Sequence, residues 1–270
     1  MLKTRIRTLL VFVPLCMIIL ALSHIPYVFS CAITLLSLAG VYELYRAADR
    51  LARWPQLCAS CLLAIAICVT GVPCYGVILP VAFAVAVLVF IRWMARLERF
   101  RFTEGAKTAW IALMVPLFFR ALVEIRQLEH GLFILLLVIL SCILTDVSGY
   151  FIGGTFGRKH IAPDVSPGKT WAGSLGGLAI SILGGCLCAA LASNALGVRI
   201  HYGSLCCFLA FTSIAGQFGD FSMSAIKRSV GIKDFSQLLP GHGGILDRFD
   251  SQLFAAPFAL IFVTCIQILE

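Results

Sequence analysis

Charge is scarce in this chain of 270 residues. Asp, Glu, Lys and Arg make up 13% of it, against about 25% in an ordinary soluble domain. A large soluble globule is excluded, because its surface would need polar cover that is not there. The absence of any long polar segment excludes a second soluble domain. Acidic residues are the rarest charges, thirteen in all, so each one inside an apolar run calls for a reason. Also lacking is a second cysteine pair, or a nearby histidine, that would turn Cys58 and Cys61 into a zinc site. Most of the twelve cysteines lie within apolar runs, as Cys16, Cys68, Cys142, Cys186 and Cys265 do. There a thiol behaves as a small hydrophobe, which argues against a disulfide framework. No internal repeat or low-complexity tract is visible.

What is present is hydrophobic, 60% of all residues. Runs of about 20 apolar residues are the mark of membrane-spanning helices, and nine are expected. They fall near 8–23, 25–45, 56–73, 75–93, 106–122, 131–152, 172–193, 203–222 and 251–269. The fold class expected is therefore all-α, a polytopic integral membrane protein. The start, "MLKTRIRTLLVFVPLCMIILAL", has the basic and apolar parts of a signal peptide but no small-residue cleavage site, so it reads as a retained first span. Residues 94–105 read as a short interfacial segment.

With the amino terminus in the cytoplasm, the inner segments collect most of the Lys and Arg, from Lys3, Arg5 and Arg7 to Lys227, Arg228, Lys233 and Arg248. Only Arg120, Arg126 and Arg199 are left outside, in keeping with the positive-inside rule. The formal charge of +8 then reflects cytoplasmic loops beside anionic lipid rather than nucleic-acid binding. Residues 1–130 are expected to form about five packing spans with oligomer contacts. Residues 131–270 are expected to carry the chemistry.

Four aspartates fall at the inner ends of spans: Asp146 in "CILTDVSGYFIGG", Asp220 in "AGQFGDFSMSAIKR", and Asp247 and Asp250 at the entrance to the last span. Carboxylates in or beside a span are costly and mark function. Asp247 and Asp250 are three apart, so a helix beginning there shows both on one face and favours their charge at its amino terminus. Oxygen ligands of this kind suit magnesium, with waters and phosphates completing the shell. The loop before them holds Lys227, Arg228, Lys233, Asp234 and His242. Its "PGHGG" lets backbone approach a ligand closely and offers amides as an anion nest. Upstream, "SPGKTWAG" ends like a P-loop. Pro163 stands where a P-loop needs glycine, and no soluble strand is expected before it, so that motif is rejected. Lys169 and Thr170 remain candidates for phosphate contact, with Ser166 and Pro167 expected in a turn.

The stretch "SAIKRSVGIKDFSQLLPGHGGILDRFD" resembles the signature of the phosphatidate cytidylyltransferases, or CDP-diacylglycerol synthases. The resemblance runs through Ser224, Lys227, Arg228, Lys233, Asp234, Pro240, His242, Gly243, Gly244, Asp247, Arg248 and Asp250. "DVSGYFIGGTFGR" and "SPGKTWAG" match in the same order, so residues 140–255 carry it; the first half matches in span pattern alone. Two departures stand out, Ala172 and Met223, where the family commonly has Glu.

The resemblance implies transfer of a cytidylyl group from CTP to phosphatidate, giving CDP-diacylglycerol and pyrophosphate for phospholipid synthesis in a bacterial inner membrane, with the site facing the cytoplasm. On that basis Asp220 and Asp247 hold Mg2+, with Asp250 and Asp146 joining or orienting its shell, and a second cation also fits. Lys227, Arg228, Lys233 and Arg248 neutralise the phosphates of CTP. Ser224, Asp234, His242, Gly243 and Gly244 shape the substrate site, and Lys169 and Thr170 meet the lipid phosphate. The partners are CTP, phosphatidate and bilayer lipid, without nucleic acid and with room for a homodimer. Two rivals share features with this reading. A CTP-dependent kinase of polyprenol or another lipid alcohol would use the same nucleotide but transfer its γ-phosphate. An ion-coupled transporter would place its polar groups at the midplane rather than along one face.

Overall fold

A computed structural model describes residues 2–25, 27–48, 54–69, 102–241 and 243–269. Helices dominate: α1 (Leu2–Ala21), α2 (Val28–Ala47), α3 (Trp54–Val69), α4 (Phe102–Gln127), α5 (Gly131–Phe156), α6 (Trp171–Leu196), α7 (Tyr202–Ser229) and α8 (Leu246–Cys265). A short 3-10 turn, Leu22–His24, follows α1. Among the described residues, four segments are long and apolar enough to cross a membrane: α2, α5, Trp171–Ser193 of α6, and α7. This is an all-α membrane architecture. Nine spans were expected, and the four are those found among the described residues alone. In α1 the described apolar stretch is Leu10–His24. α3 has 16 residues. α4 carries Glu104, Lys107, Arg120, Glu124 and Arg126 along its length, and α8 opens with Asp247, Arg248 and Asp250. The span expected at 75–93 and residues 94–101 of the interfacial segment lie outside the described residues, while 102–105 belong to α4.

One departure from an all-helical chain is a hairpin of β1 (His160–Ala162) and β2 (Ser166–Thr170), antiparallel, with His160 opposite Thr170 and Ala162 opposite Ser166. Ser166 and Pro167, expected in a turn, are thus in a strand. The turn comes just before, at 163–165, closed by the Val165 amide on the Ala162 carbonyl at 3.2 Å. A prolyl residue is tolerated in this two-stranded ribbon because every strand there is an edge.

The described residues fall into two compact units, one within Met1–Val123 and Asp234–Arg248, the other within Glu124–Lys233 and Phe249–Glu270. In the first unit α2 packs on α3, joined by a buried hydrogen bond of 2.9 Å between Tyr45 and Ser60. Its apolar core includes Val41, Leu44, Tyr45, Leu63, Val115, Phe119 and Leu246. In the second unit α5, α6 and α7 pack together. They are linked by buried hydroxyls: Ser141 to Ser181 at 2.8 Å and to Thr212 at 3.1 Å, and Thr145 to Ser213 at 2.7 Å. Small polar residues of this type let apolar helices approach and bond where lipid gives no hydrophobic drive. Phe208 and Phe218 of α7 meet Phe262 and Phe254 of α8 edge to face, at 5.7 and 5.8 Å between centroids.

Candidate active site

Three of the four aspartates singled out in the sequence belong to the second unit. Asp220 is on α7, and the Lys169 ammonium at the end of β2 forms an ion pair with it. The same ammonium stands 4.4 Å from the centroid of the Phe221 ring, a cation–π contact that holds it against the helix. One turn further along α7, the Ser224 hydroxyl donates to Asp220 Oδ1 at 3.3 Å. Asp146, on α5, accepts from the Ser251 hydroxyl of α8 at 3.2 Å. Asp250 lies beside that serine and accepts its amide at 2.9 Å. The three carboxylates are within electrostatic reach of one another: Asp146 feels the charges of Asp220 and Lys169, and Asp250 those of Asp220, Lys227 and Asp146.

A glycine brings two of these helices together. A Cβ on Gly219, the residue before Asp220, would lie 2.5 Å from the Asp250 carbonyl and 2.8 Å from Phe254 Cβ. Any side chain there would push α8 away from α7 and part the two aspartates. Lys227 is nearly buried at 9% exposure, whereas Arg228 is exposed and donates to the Ile232 carbonyl at 3.1 Å. Met223 is fully buried, so the position where the family commonly has Glu is here part of the apolar interior.

Thr170 has a structural duty. It is the amino-terminal cap of α6, accepting the Gly173 amide at 3.2 Å, and it is buried. Its expected contact with a lipid phosphate therefore competes with capping.

Asp247 belongs to the first unit, in the first turn of α8 as its position in the sequence suggested. It is buried, and its Oδ2 accepts the amides of Phe235 at 2.9 Å and Gly244 at 2.8 Å. Between these anchors the loop turns back on itself, with the Leu239 amide on the Gly243 carbonyl at 2.9 Å. Gly243 has φ of +85°, a conformation that side chains rarely adopt. The Gly244 amide, expected to line an anion nest, is taken by Asp247 instead. Lys233, Asp234 and Arg248 are exposed. His242 lies outside the described residues.

One carboxylate of this unit was missed in the sequence. Glu43, near the end of α2, is 1% exposed. It accepts the Ser236 hydroxyl at 2.6 Å and the Ile245 amide at 2.9 Å on Oε1, and the Leu246 amide at 2.9 Å on Oε2. The signal was present: a lone acid in the apolar run of a span has the same cost that singled out the four aspartates.

The donor set has the character magnesium prefers, since carboxylates are hard oxygen ligands. Among the described residues, no group of three His, Cys, Asp or Glu side chains gathers closely enough to hold a metal ion. An ion at Asp146, Asp220 or Asp250 would therefore have to take most of its shell from water and phosphate oxygens, the usual habit of magnesium.

Within the second unit, Asp146, Asp220 and Asp250 form with Lys169 and Lys227 a cluster of charge at otherwise apolar helices. The chain belongs to the cytidylyltransferase family, whose sequence profile matches residues 3–266. It is 35% identical over 177 residues to the phosphatidate cytidylyltransferase of Bacillus subtilis, covering 64% of each chain. It is 43% identical over 130 residues to that of Haemophilus influenzae, covering 48% of this chain and 45% of the relative. With the Aquifex aeolicus phosphatidate cytidylyltransferase it shares 37% over 162 residues, 59% of this chain and 58% of the relative. In each case the chain spans less than two thirds of the relative's length.

Proposed function

We propose that this chain transfers the cytidylyl group of CTP to phosphatidate, releasing pyrophosphate and leaving CDP-diacylglycerol in the bilayer. The observation that supports this most is the gathering of Asp146, Asp220 and Asp250 with Lys169 and Lys227 in one unit of a cytidylyltransferase-family chain. In the reaction, a phosphatidate phosphate oxygen attacks the α-phosphorus of CTP. The bond from that phosphorus to the β-phosphate bridging oxygen breaks, and pyrophosphate leaves with the bond's electrons. An anion attacks an anion, so the barrier is lowered chiefly by positioning and charge stabilisation. The nucleophile is already ionised near neutral pH, so no strong base is required.

Asp220, Asp250 and Asp146 are the residues proposed to hold Mg2+. When bound, the cation would offset phosphate charge and polarise the phosphoryl oxygens. Asp247 joins that set on the strength of the motif resemblance. Lys169, drawn away from Asp220, supplies a point charge for a phosphate. Lys227, Arg228, Lys233 and Arg248 neutralise the triphosphate and the leaving pyrophosphate. Ser224 orients Asp220, while Asp234, His242, Gly243 and Gly244 shape the nucleotide site. Thr170 acts by fixing the backbone next to Lys169. Nine spans, a cytoplasmic amino terminus, residence in a bacterial inner membrane, a cytoplasm-facing site and a homodimeric state belong to the same proposal. That placement suits the substrates, because the lipid head group stays at the membrane surface and CTP arrives from water.

The test uses purified protein, phosphatidate dispersed in detergent, Mg2+, and CTP labelled at the α-phosphate in one arm and the γ-phosphate in another. The α label passing into extractable lipid, with equimolar pyrophosphate and loss of activity in EDTA, is the expected result. Lipid carrying the γ label would instead identify a lipid kinase, and α label confined to the aqueous phase refutes cytidylyl transfer.

A further inference from the structure

The loop 235–246 is pinned by two carboxylates, only one of which lies in the signature. Asp247 takes the amides of Phe235 and Gly244. Glu43 takes the next two amides, Ile245 and Leu246, and also the Ser236 hydroxyl. That hydroxyl oxygen in turn accepts the Leu238 amide at 3.2 Å. Three consecutive amides at the entrance to α8, those of Gly244, Ile245 and Leu246, are therefore satisfied by two acids, one from within the helix and one from α2. A helix amino terminus welcomes negative charge, and its first amides must find partners outside the helix. Glu43 meets both needs from about 200 residues away in sequence, with separations of 202 to Ile245 and 203 to Leu246.

The glycines of the signature fit this arrangement one to each acid. A Cβ on Gly243 would lie 2.8 Å from Asp247 Oδ2, and one on Gly244 would lie 2.6 Å from the Glu43 carboxyl carbon. Gly244 is thus glycine because Glu43 fills the space beside it. About one turn earlier on the same face of α2, Gly40 lets Leu246 come close: a Cβ there would stand 3.0 Å from Leu246 Cδ2. The approach seats α8's first residue, which is fully buried.

We infer that Glu43 is the positioning residue of the nucleotide loop: through its carboxylate it sets the place of Gly243, Gly244 and Asp247, and so the affinity for CTP. The inference rests on the proposed function for its kinetic consequence and on geometry alone for its structural one. Glu43 touches no substrate in this scheme. Replacing it by glutamine keeps the size of the side chain but turns one acceptor into a donor facing a donor amide, and removes the charge at the helix end.

The experiment compares wild type, Glu43→Gln and, as a milder change that removes one of the three donors, Ser236→Ala, in detergent micelles. Hydrogen exchange of the peptide 235–250 is read beside a control peptide, 131–150. Loss of charge-assisted bonds should speed exchange of 235–250 by about 10- to 100-fold in Glu43→Gln, by less in Ser236→Ala, and leave 131–150 unchanged. In transfer assays the KM for CTP should rise about tenfold in Glu43→Gln, the equivalent of one lost bond, with the KM for phosphatidate unaltered. A general loss of folded protein would lower kcat and move neither KM. Unchanged exchange in both variants, or faster exchange without a rise in the KM for CTP, overturns the inference. Should the wild type fail to transfer a cytidylyl group, the proposed function falls, while the exchange arm still decides whether Glu43 holds the loop.

Discussion

Replacing Asp247 separates two duties that a single residue carries, and the expected sizes follow from its contacts. One oxygen, Oδ2, holds the Phe235 and Gly244 amides at 2.9 and 2.8 Å, and the residue is 8% exposed. Hydrogen bonds to a charged acceptor contribute about 1.5–3 kcal/mol each and neutral ones about 0.5–1.5 kcal/mol. Asp247→Ala removes both acceptor contacts and leaves two donors without that partner. It should cost about 3–6 kcal/mol, a large part of the roughly 5–15 kcal/mol that holds a typical domain together. Asp247→Asn keeps a carbonyl oxygen of the same reach and loses only the charge, so it should cost about 1–3 kcal/mol. If the charge also serves the reaction, as the motif resemblance implies, the Asn variant should fold and yet lose at least about 100-fold in transfer rate, the scale of removing one electrostatic stabiliser. The assay pairs denaturation in micelles with α-labelled CTP turnover in the same preparations. An Ala variant as stable as wild type would refute the anchoring role, and an Asn variant that turns over normally would refute the role of the charge.

Thr170→Ala should destabilise α6 by about 1 kcal/mol through loss of its cap, whereas Thr170→Ser should hold wild-type stability, as read by thermal unfolding. Lys169→Ala breaks an ion pair whose partners are 27% and 24% exposed. Stability should move by no more than about 1 kcal/mol while transfer activity falls sharply. Equal activity in that variant would remove Lys169 from the phosphate-binding set. Gly244→Ala drives a methyl group into the Glu43 carboxylate and should cost about 1–3 kcal/mol by overpacking. The double variant with Glu43→Asp should regain part of that loss, and full additivity would show that the two residues do not share the space.

Much of the architecture is visible in short windows of sequence. The runs that become α2, α5, α6 and α7 announce themselves by length and apolarity, and the start of α8 by the acids that suit a helix amino terminus. Of the nine spans expected, four are seen among the described residues, and the one near 75–93 lies outside them. The hairpin β1–β2 was not foreseen, because proline and glycine in "SPGKT" read as a turn when the partner strand is unknown. Thr170 offered a phosphate-binding hydroxyl in isolation, yet at the first residue before a helix the same hydroxyl is drawn to the Gly173 amide. Glu43 was passed over since its partners lie in a loop about 200 positions later.

The sequence by itself determined that this chain is a helical membrane protein, that its scarce acids and bases crowd the ends of a few spans, and that its loop carries a cytidylyltransferase signature. These are properties of composition and of neighbours a few residues apart, where helix period and hydropathy act. Tertiary structure alone decided that Lys169 pairs with Asp220, that Ser251 serves Asp146, and that Glu43 rather than a local residue satisfies the Ile245 and Leu246 amides at the entrance to α8. Such choices depend on which surfaces pack together. A buried charge or amide accepts whatever partner the packing brings within about 3 Å, and nothing in the local chain names that partner.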